Sequence, residues 1–336
     1  MQFTIEISAS RTWRLRGYFL FSLAFFVTHS VVTPHSAHAT TLAFITNQQA
    51  NSVSVIDTET STVLSNIAVG KEPAGITTSA KLKRAWVSTP GDSSVSEIQC
   101  QTLKVVNTIV AGEGPLAITV DEQRELLYVA DWYEHVVMAI SIDPLKIVKF
   151  VSVGQSPSGL ALSPDNNHLY VSNRDDNAIS EIELDTFTVR RTAATQNRPF
   201  GIDIDKLHNR LYSANVTSNS VSVIDLIEMK TVATIDVGDR PYDVSFAQNF
   251  AFVTNQYDNT VSVIDTEKLA VITEIEVGDY PEGIDTHPDQ TMVYVANWFD
   301  NTVSIIDVTT LQVVDTIDTE DGSRAYGEMF LEGCEQ

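Results

Sequence analysis

Three features of the sequence predict an all-β fold closed into a ring. A strand, turn, strand stretch, of which Phe252-Val-Thr-Asn-Gln-Tyr-Asp-Asn-Thr-Val-Ser-Val-Ile-Asp265 is one copy, occurs seven times. Its closing residues, Asp57, Gln99, Ser141, Glu183, Asp225, Asp265 and Asp307, are spaced 42 residues apart at every step but one, which is 40. Between copies comes an outer strand such as Val232 to Val237, then Gly-x-x-Pro, then a short apolar strand, so each unit holds four strands. Four strands in about 40 to 45 residues is the size of a propeller blade. The third feature is a mismatch at the ends: the first copy lacks an inner strand, and the C-terminus carries one without a hairpin. The expected architecture is a seven-bladed β-propeller of four-stranded antiparallel blades, its ring closed by the C-terminal strand joining the N-terminal blade.

Each element has a local reason. In the quoted copy, β-branched and aromatic residues favour extended backbone, while Asn255 to Asn259 supply side chains that bond their own backbone in a turn. These strands are apolar on both sides, as expected where each sheet is covered by its two neighbours. Blade 1 begins with Leu42 to Thr46 and Ser52 to Ile56, followed by Val63 to Val69. Inner strands are expected at Ala74 to Thr78, Leu116 to Val120, Gly159 to Ser163, Gly201 to Asp205, Asp243 to Phe246 and Gly283 to Thr286, with Ala325 to Phe330 completing blade 1. Closure of this kind removes free sheet edges. The two-residue deletion falls in the turn Ala247-Gln-Asn249, a tight link.

Residues 1–39 read as a secretory signal: Arg11, Arg14 and Arg16 as a basic region, Tyr18 to Val27 as an apolar core, and Ala37-His38-Ala39 as a cleavage site. The apolar run is too short to span a membrane, which needs roughly 20 residues, so a periplasmic or secreted protein with no transmembrane segment after signal removal is expected. Residues 40–336 then form a single domain, with no room for a second. The net charge of −23 disfavours nucleic acid and anionic lipid as partners and favours a soluble monomer.

Tyr170-Val-Ser-Asn173, Phe252-Val-Thr-Asn255 and Tyr294-Val-Ala-Asn297, each followed by Asn-(Ala/Thr)-(Ile/Val)-Ser, resemble the YVTN family of β-propeller repeats. The resemblance extends to the terminal Ala325-Tyr-Gly-Glu-Met-Phe330. It implies a seven-bladed, exported, WD40-like repeat protein, and little about function. Blade 2 departs with Thr89-Pro-Gly-Asp92 and blade 3 with Asp131 in place of Asn, so altered loops are expected there.

Links and hairpin turns open on one face, the top. The residue before each Pro, or before Ala325 in the last link, reads Glu72, Gly114, Ser156, Arg198, Arg240, Tyr280 and Arg324. Arg198, Arg240, Tyr280 and Arg324 occupy consecutive blades and are expected to crowd one side of the axial mouth. Phe200, Tyr242, Glu282 and Tyr326 follow two positions on, and the hairpins add Tyr257, Trp298 and Phe299. Arginines flanked by aromatics suit a carboxylate, a phosphate or an acidic peptide; the alternative is that each Arg pairs with a nearby Asp239, Asp279 or Asp321 and only scaffolds its loop. Across the mouth, Asp131-Trp-Tyr-Glu-His135 offers Trp132 and Tyr133 for stacking. Glu134 and His135 would suit an acid/base pair or metal half-site, but an ordinary exposed turn is the preferred reading.

Other chemistry finds little support. His135, His168, His208 and His287 are scattered one per blade, without paired metal-ligand spacing. Asp175-Asp-Asn177, Asp258-Asn259 and Asp300-Asn301 lack the carboxylate density of a calcium loop and read as turn caps. There is no nucleophile motif, phosphate loop or haem attachment spacing, so no cofactor and no catalytic residue are assigned. Cys100 and Cys334 are expected on the bottom face of adjacent blades, either bridged or as separate thiols.

The leading expectation is thus a non-enzymatic exported platform. It would bind an envelope protein or small anionic ligand through Arg198, Arg240, Arg324, Tyr280, Phe200, Tyr242, Tyr326, Trp298, Trp132 and Tyr133. The alternative, by fold analogy alone, is an enzyme or accessory subunit in periplasmic quinone-dependent oxidation or lactone hydrolysis. A lactonase would need a metal on axial carboxylates such as Glu72, Glu282, Asp203 and Asp285.

Overall fold

The computed structural model describes residues 40–334, so the proposed signal segment is outside the described residues. Seven four-stranded antiparallel sheets follow one another in chain order around an axis. In blade 5, a representative, the strands are Pro199–Asp205, Arg210–Asn215, Ser220–Asp225 and Lys230–Asp236, from the axis outward. The second and third strands are buried along nearly their whole length, while the outer strand is mostly exposed, with Ala233 half-buried and Ile235 buried. This is the burial expected of stacked blades: hydrophobic clusters form between neighbouring sheets, as where Phe252, Val261 and Val263 of blade 6 pack with Ile284, Val293 and Val295 of blade 7.

The repeated motif explains the stacking. Its Thr or Ser, one residue before the Asn, donates from its hydroxyl to the inner strand of the next blade: Thr46 to the Ala74 carbonyl (3.0 Å), Ser172 to Phe200 (2.6 Å), Thr254 to Glu282 (2.8 Å). Each tie contributes about 1 kcal/mol. The Asn side chain then donates to hydroxyls of the third strand, as Asn255 does to Thr260 and Ser262 at 3.0 and 2.8 Å. Against this amide lies the first link residue, Gly238, where an added Cβ would come within 2.6 Å of Asn255. At the bottom, Asp57, Asp225, Asp265 and Asp307 each accept N–H groups two and three residues on, closing the outer turns.

Closure differs in detail from the sequence expectation. The strand that completes blade 1 is Phe330–Glu332, paired with Thr41–Ala43. Upstream, Ser323 bridges to Asn47, and Tyr326–Gly327 runs parallel to the Gly75–Ser79 strand of blade 2. Between the bridge at Ser323 and the pairing at Phe330 the chain spends seven residues, where blade 5 spends five between Pro199 and Ile204 over the same partner span. The closing strand is therefore bulged. A disulfide joins Cys100, after the third strand of blade 2, to Cys334, with Cα atoms 5.8 Å apart, fastening the C-terminus to the ring.

Candidate functional site

The top mouth is built by two residue columns. The first is the link residue before Pro. Glu72, Ser156, Arg198, Arg240 and Tyr280 have left-handed backbone with φ between 52° and 58°. In each case the N–H is held by the left-handed turn residue one blade back: Asn51, His135, Asn177, Asn219 and Asn259, at 2.8 to 3.1 Å. A sixth such bond runs from Gly322 to Asn301 at 2.7 Å, in the seventh link. Gly322, not Arg324, is thus the last link residue, and the expected alignment was two positions out. Arg324 instead shares its register with Phe200, Tyr242 and Glu282, next to the axis.

That position makes Arg324 a buried structural cation. Its Nε lies 2.8 Å from a carboxylate oxygen of Glu282, and a terminal nitrogen donates to the Tyr242 hydroxyl at 2.6 Å. Gln256 donates to the other Glu282 oxygen (2.9 Å) and accepts from Arg240 Nε (2.6 Å). A polar chain Arg240, Gln256, Glu282, Arg324, Tyr242 therefore crosses the mouth. Burial raises the Glu282 pKa, against the fields of Arg324 and Arg240. Burial also works against the Arg324 guanidinium, yet Glu282 and Tyr242 hold it above the ordinary arginine value.

The second column follows the motif Asn, and it supplies a residue the sequence reading missed. Trp132, Arg174 and Val216 line the same cavity, of about 320 Å³, as Arg240, Phe200 and Tyr242. Arg174 stands 5.4 Å over the Trp132 ring and pairs with Asp175 at 2.8 Å. Its pKa is lowered by burial and by the neighbouring Arg198 and Arg240, against Asp175. Arg198 is half exposed and 3.9 Å from Asp175. Arg240 lies 5.0 Å over Tyr257 and, among the described residues, has no carboxylate within ion-pair distance. The acids expected to neutralise these arginines, Asp239, Asp279 and Asp321, are not their partners. Asp279 and Asp321 instead accept from Asn259 and Asn301.

The remaining expected residues divide into two groups. Tyr133 joins the cavity wall. Tyr280 and Trp298 sit apart, in an aromatic cluster with Tyr257 and Phe299, ring centroids 4.6 to 5.8 Å apart. Tyr326 is buried on the axis beneath Phe200 and Tyr242, with centroids at 5.4 and 6.3 Å, and its hydroxyl donates to the Phe200 carbonyl at 3.3 Å. It belongs to the floor. His135 caps a backbone N–H through Nδ1 at 3.1 Å, which is the ordinary-turn reading of that stretch. Altered loops do occur in blade 3, where Gly112 takes φ +75° and Asp131 accepts the N–H groups of Glu113 and Gly114.

Below the floor is a second cavity, of about 450 Å³, lined by Asp203, Asp243, Asp285 and Glu328 among others. No group of three His, Cys, Asp or Glu side chains among the described residues is arranged to hold a metal ion. No helix among them is long and apolar enough to cross a membrane.

Residues 161–251 match the family model of YNCE-like β-propellers. No curated protein matches the chain. Among solved structures, the chain is similar to Kuenenia stuttgartiensis hydrazine synthase, at 17% identity and TM-score 0.69, over 79% of this chain and 92% of that one. It is also similar to the dihydro-heme d1 dehydrogenase NirN in complex with DHE, at 15% identity and TM-score 0.64, over 82% and 72%. A functionally unknown protein from Desulfotomaculum acetoxidans DSM 771 matches at 14% identity and TM-score 0.73, over 85% and 99%. At these identities the likeness is one of fold. The seven-bladed ring, its repeated motif and the match over residues 161–251 are consistent with a β-propeller repeat protein of the YVTN type.

Proposed function

We propose that this chain is an exported, non-enzymatic propeller that binds an anionic ligand, or an acidic patch on an envelope protein, at its top mouth. One observation carries the reading. In a chain of net charge −23, Arg174 and Arg240 line an aromatic-walled cavity that also includes Glu72, Arg198 lies beside Arg174, and Asp175 is the one acid within ion-pair distance of these three arginines among the described residues. Bringing like charges together is unfavourable unless something anionic is there to meet them. The polar chain running from Arg240 to Tyr242 holds the mouth preformed, so binding would require little ordering.

The test is affinity capture from the native envelope extract, comparing the protein with an Arg174→Glu, Arg198→Glu, Arg240→Glu variant whose fold has been checked by circular dichroism. Arg324 is left intact because its charge is structural. A partner captured by the first and lost by the second is the expected result; matching profiles would contradict it. N-terminal sequencing of the exported protein tests the signal assignment, with a new terminus near Thr40 expected.

A second reading is an accessory role beside a redox enzyme. Its support is that two similarly folded proteins are named as hydrazine synthase and a dihydro-heme d1 dehydrogenase. Capture of a redox subunit by the same mouth would favour it.

A further inference from the structure

We propose that the occupant of the top mouth is a small planar aromatic anion, its ring against Phe200, Tyr242 and Trp132 and its carboxylate on Arg240 and Arg174. This rests on the reading that the mouth binds an anion, and it names the class.

The shape of the cavity argues for a compact ligand. Its volume is about 320 Å³, and Tyr326 packs under Phe200 and Tyr242, so the mouth ends on a closed floor and not in a through-channel. A threaded chain has nowhere to go. The floor is also aromatic in a useful orientation: Phe200 and Tyr242 have centroids 4.2 Å apart at 32°, and Trp132 stands 6.2 Å from Phe200 at 50°. Surfaces of this kind gain most from a flat π-face, through offset or tilted stacking.

The anion end is set by what the arginines already do. Arg240 spends Nε on Gln256, and its two terminal nitrogens make no hydrogen bond among the described residues. These are the paired donors a carboxylate meets in bidentate fashion. Arg174 is fixed differently, stacked over Trp132 with one terminal nitrogen on Asp175 Oδ1. One guanidinium thus lines the cavity with terminal donors that make no hydrogen bond among the described residues, while the other brings its charge and its flat face to the wall. A ring and a carboxylate on one rigid ligand satisfy both.

The experiment is calorimetry on the purified protein with chosen probes, alongside tryptophan fluorescence. 2-Naphthoate is the planar anion, 2-naphthol the neutral planar control, cyclohexanecarboxylate the non-planar anion, and tetraglutamate the acidic peptide. The expected result is one-to-one binding of 2-naphthoate, at least about tenfold tighter than either the neutral or the non-planar probe. Loss of one charge-assisted pair corresponds to about this factor, so Arg240→Gln is expected to weaken binding by a similar amount. Absence of saturable 2-naphthoate binding, equal binding of cyclohexanecarboxylate, or indifference to Arg240→Gln overturns the inference. Binding of tetraglutamate in preference to 2-naphthoate, if lost in Arg240→Gln, also overturns it but leaves the anion-binding reading standing. Trp132→Leu is the second variant, expected to weaken 2-naphthoate binding while leaving Arg240 in place.

Discussion

The two ends of the propeller axis are made from the same strands and carry opposite chemistry. Above the Phe200, Tyr242, Tyr326 layer, the mouth holds arginines that stay charged; below it, Asp203, Asp243, Asp285 and Glu328 face a cavity of about 450 Å³. The lower carboxylates have raised pKa values. Asp203 is pushed up to about 7, chiefly by burial and further by Glu328 and Asp205, while Asp243 and Asp285 are raised well above the ordinary value, again chiefly by burial. Each still accepts backbone N–H groups, Asp203 that of Ile204, Asp243 that of Val244, and Asp285 those of Thr286 and Met329, both at 2.8 Å. Acids can relieve crowding by keeping their protons, whereas arginines cannot. The lower end can therefore be quiet without a ligand, whereas at the upper end the proposed anion would offset arginine charge that Asp175 and Glu282 only partly balance.

The largest expected effect would abolish the comparison by destroying both ends. The segment after Gly322 supplies Arg324 to the mouth, Tyr326 to the floor, Glu328 to the lower cavity and Phe330–Glu332 to blade 1. Deleting Phe330 to Gln336 is expected to abolish the cooperative unfolding transition, measured by circular dichroism in urea. A stable, fully folded truncate would mean that closure is not what holds the ring.

Next comes the mouth alone. Arg324→Met is expected to cost about 3 to 5 kcal/mol, because it leaves the Glu282 carboxyl buried without its cation. Adding Glu282→Met is expected to recover most of that loss, and equal destabilisation in the double variant would refute the pairing. The disulfide comes third: Cys100→Ser with Cys334→Ser is expected to lose about 2 to 5 kcal/mol, since the bridge closes 234 residues of chain. Urea midpoints under oxidising conditions measure both.

The lower end is sharpened by pH. A carboxyl whose folded pKa lies above its unfolded value favours folding when protonated, so its contribution is full below about pH 4 and is lost as pH rises through the folded pKa. Stability is therefore expected to fall between about pH 5 and 8. Asp243→Asn with Asp285→Asn is expected to flatten that slope, whereas Arg198→Gln is expected to leave it unchanged. The smallest effect belongs to Arg240→Gln, within about 0.5 kcal/mol in stability, even as ligand binding weakens about tenfold.

How much of this was legible follows from the repeat. Blade number, strand count and closure could be read because most blades repeat the same Asn, Ser and Gly positions, and those residues make the ties that stack the sheets. Phe200, Tyr242, Trp132, Tyr133 and Arg240 were placed at one mouth by counting blades alone. Arg174 was missed because it follows the motif Asn, a column that reads Gln48, Pro90, Trp132, Arg174, Val216, Gln256 and Trp298; aligning that column would have found it, and Gln256 with it. Arg324 was misassigned because the last link lacks Pro and the closing strand is bulged by two residues. The available signal was Gly322, a residue suited to the left-handed position that Glu72, Ser156, Arg198, Arg240 and Tyr280 fill in other links. The depth of Tyr326 was not legible, since it arises from that same bulge.

The most direct test is a crossed capture from the native envelope extract. Three forms are compared: the unaltered protein, the Arg174→Glu, Arg198→Glu, Arg240→Glu variant of the upper end, and the Asp243→Asn, Asp285→Asn variant of the lower end. The expected result is a ligand or partner held by the first and third forms and lost from the second. Retention by the upper variant, or loss from the lower variant alone, would contradict the assignment of binding to the arginine mouth.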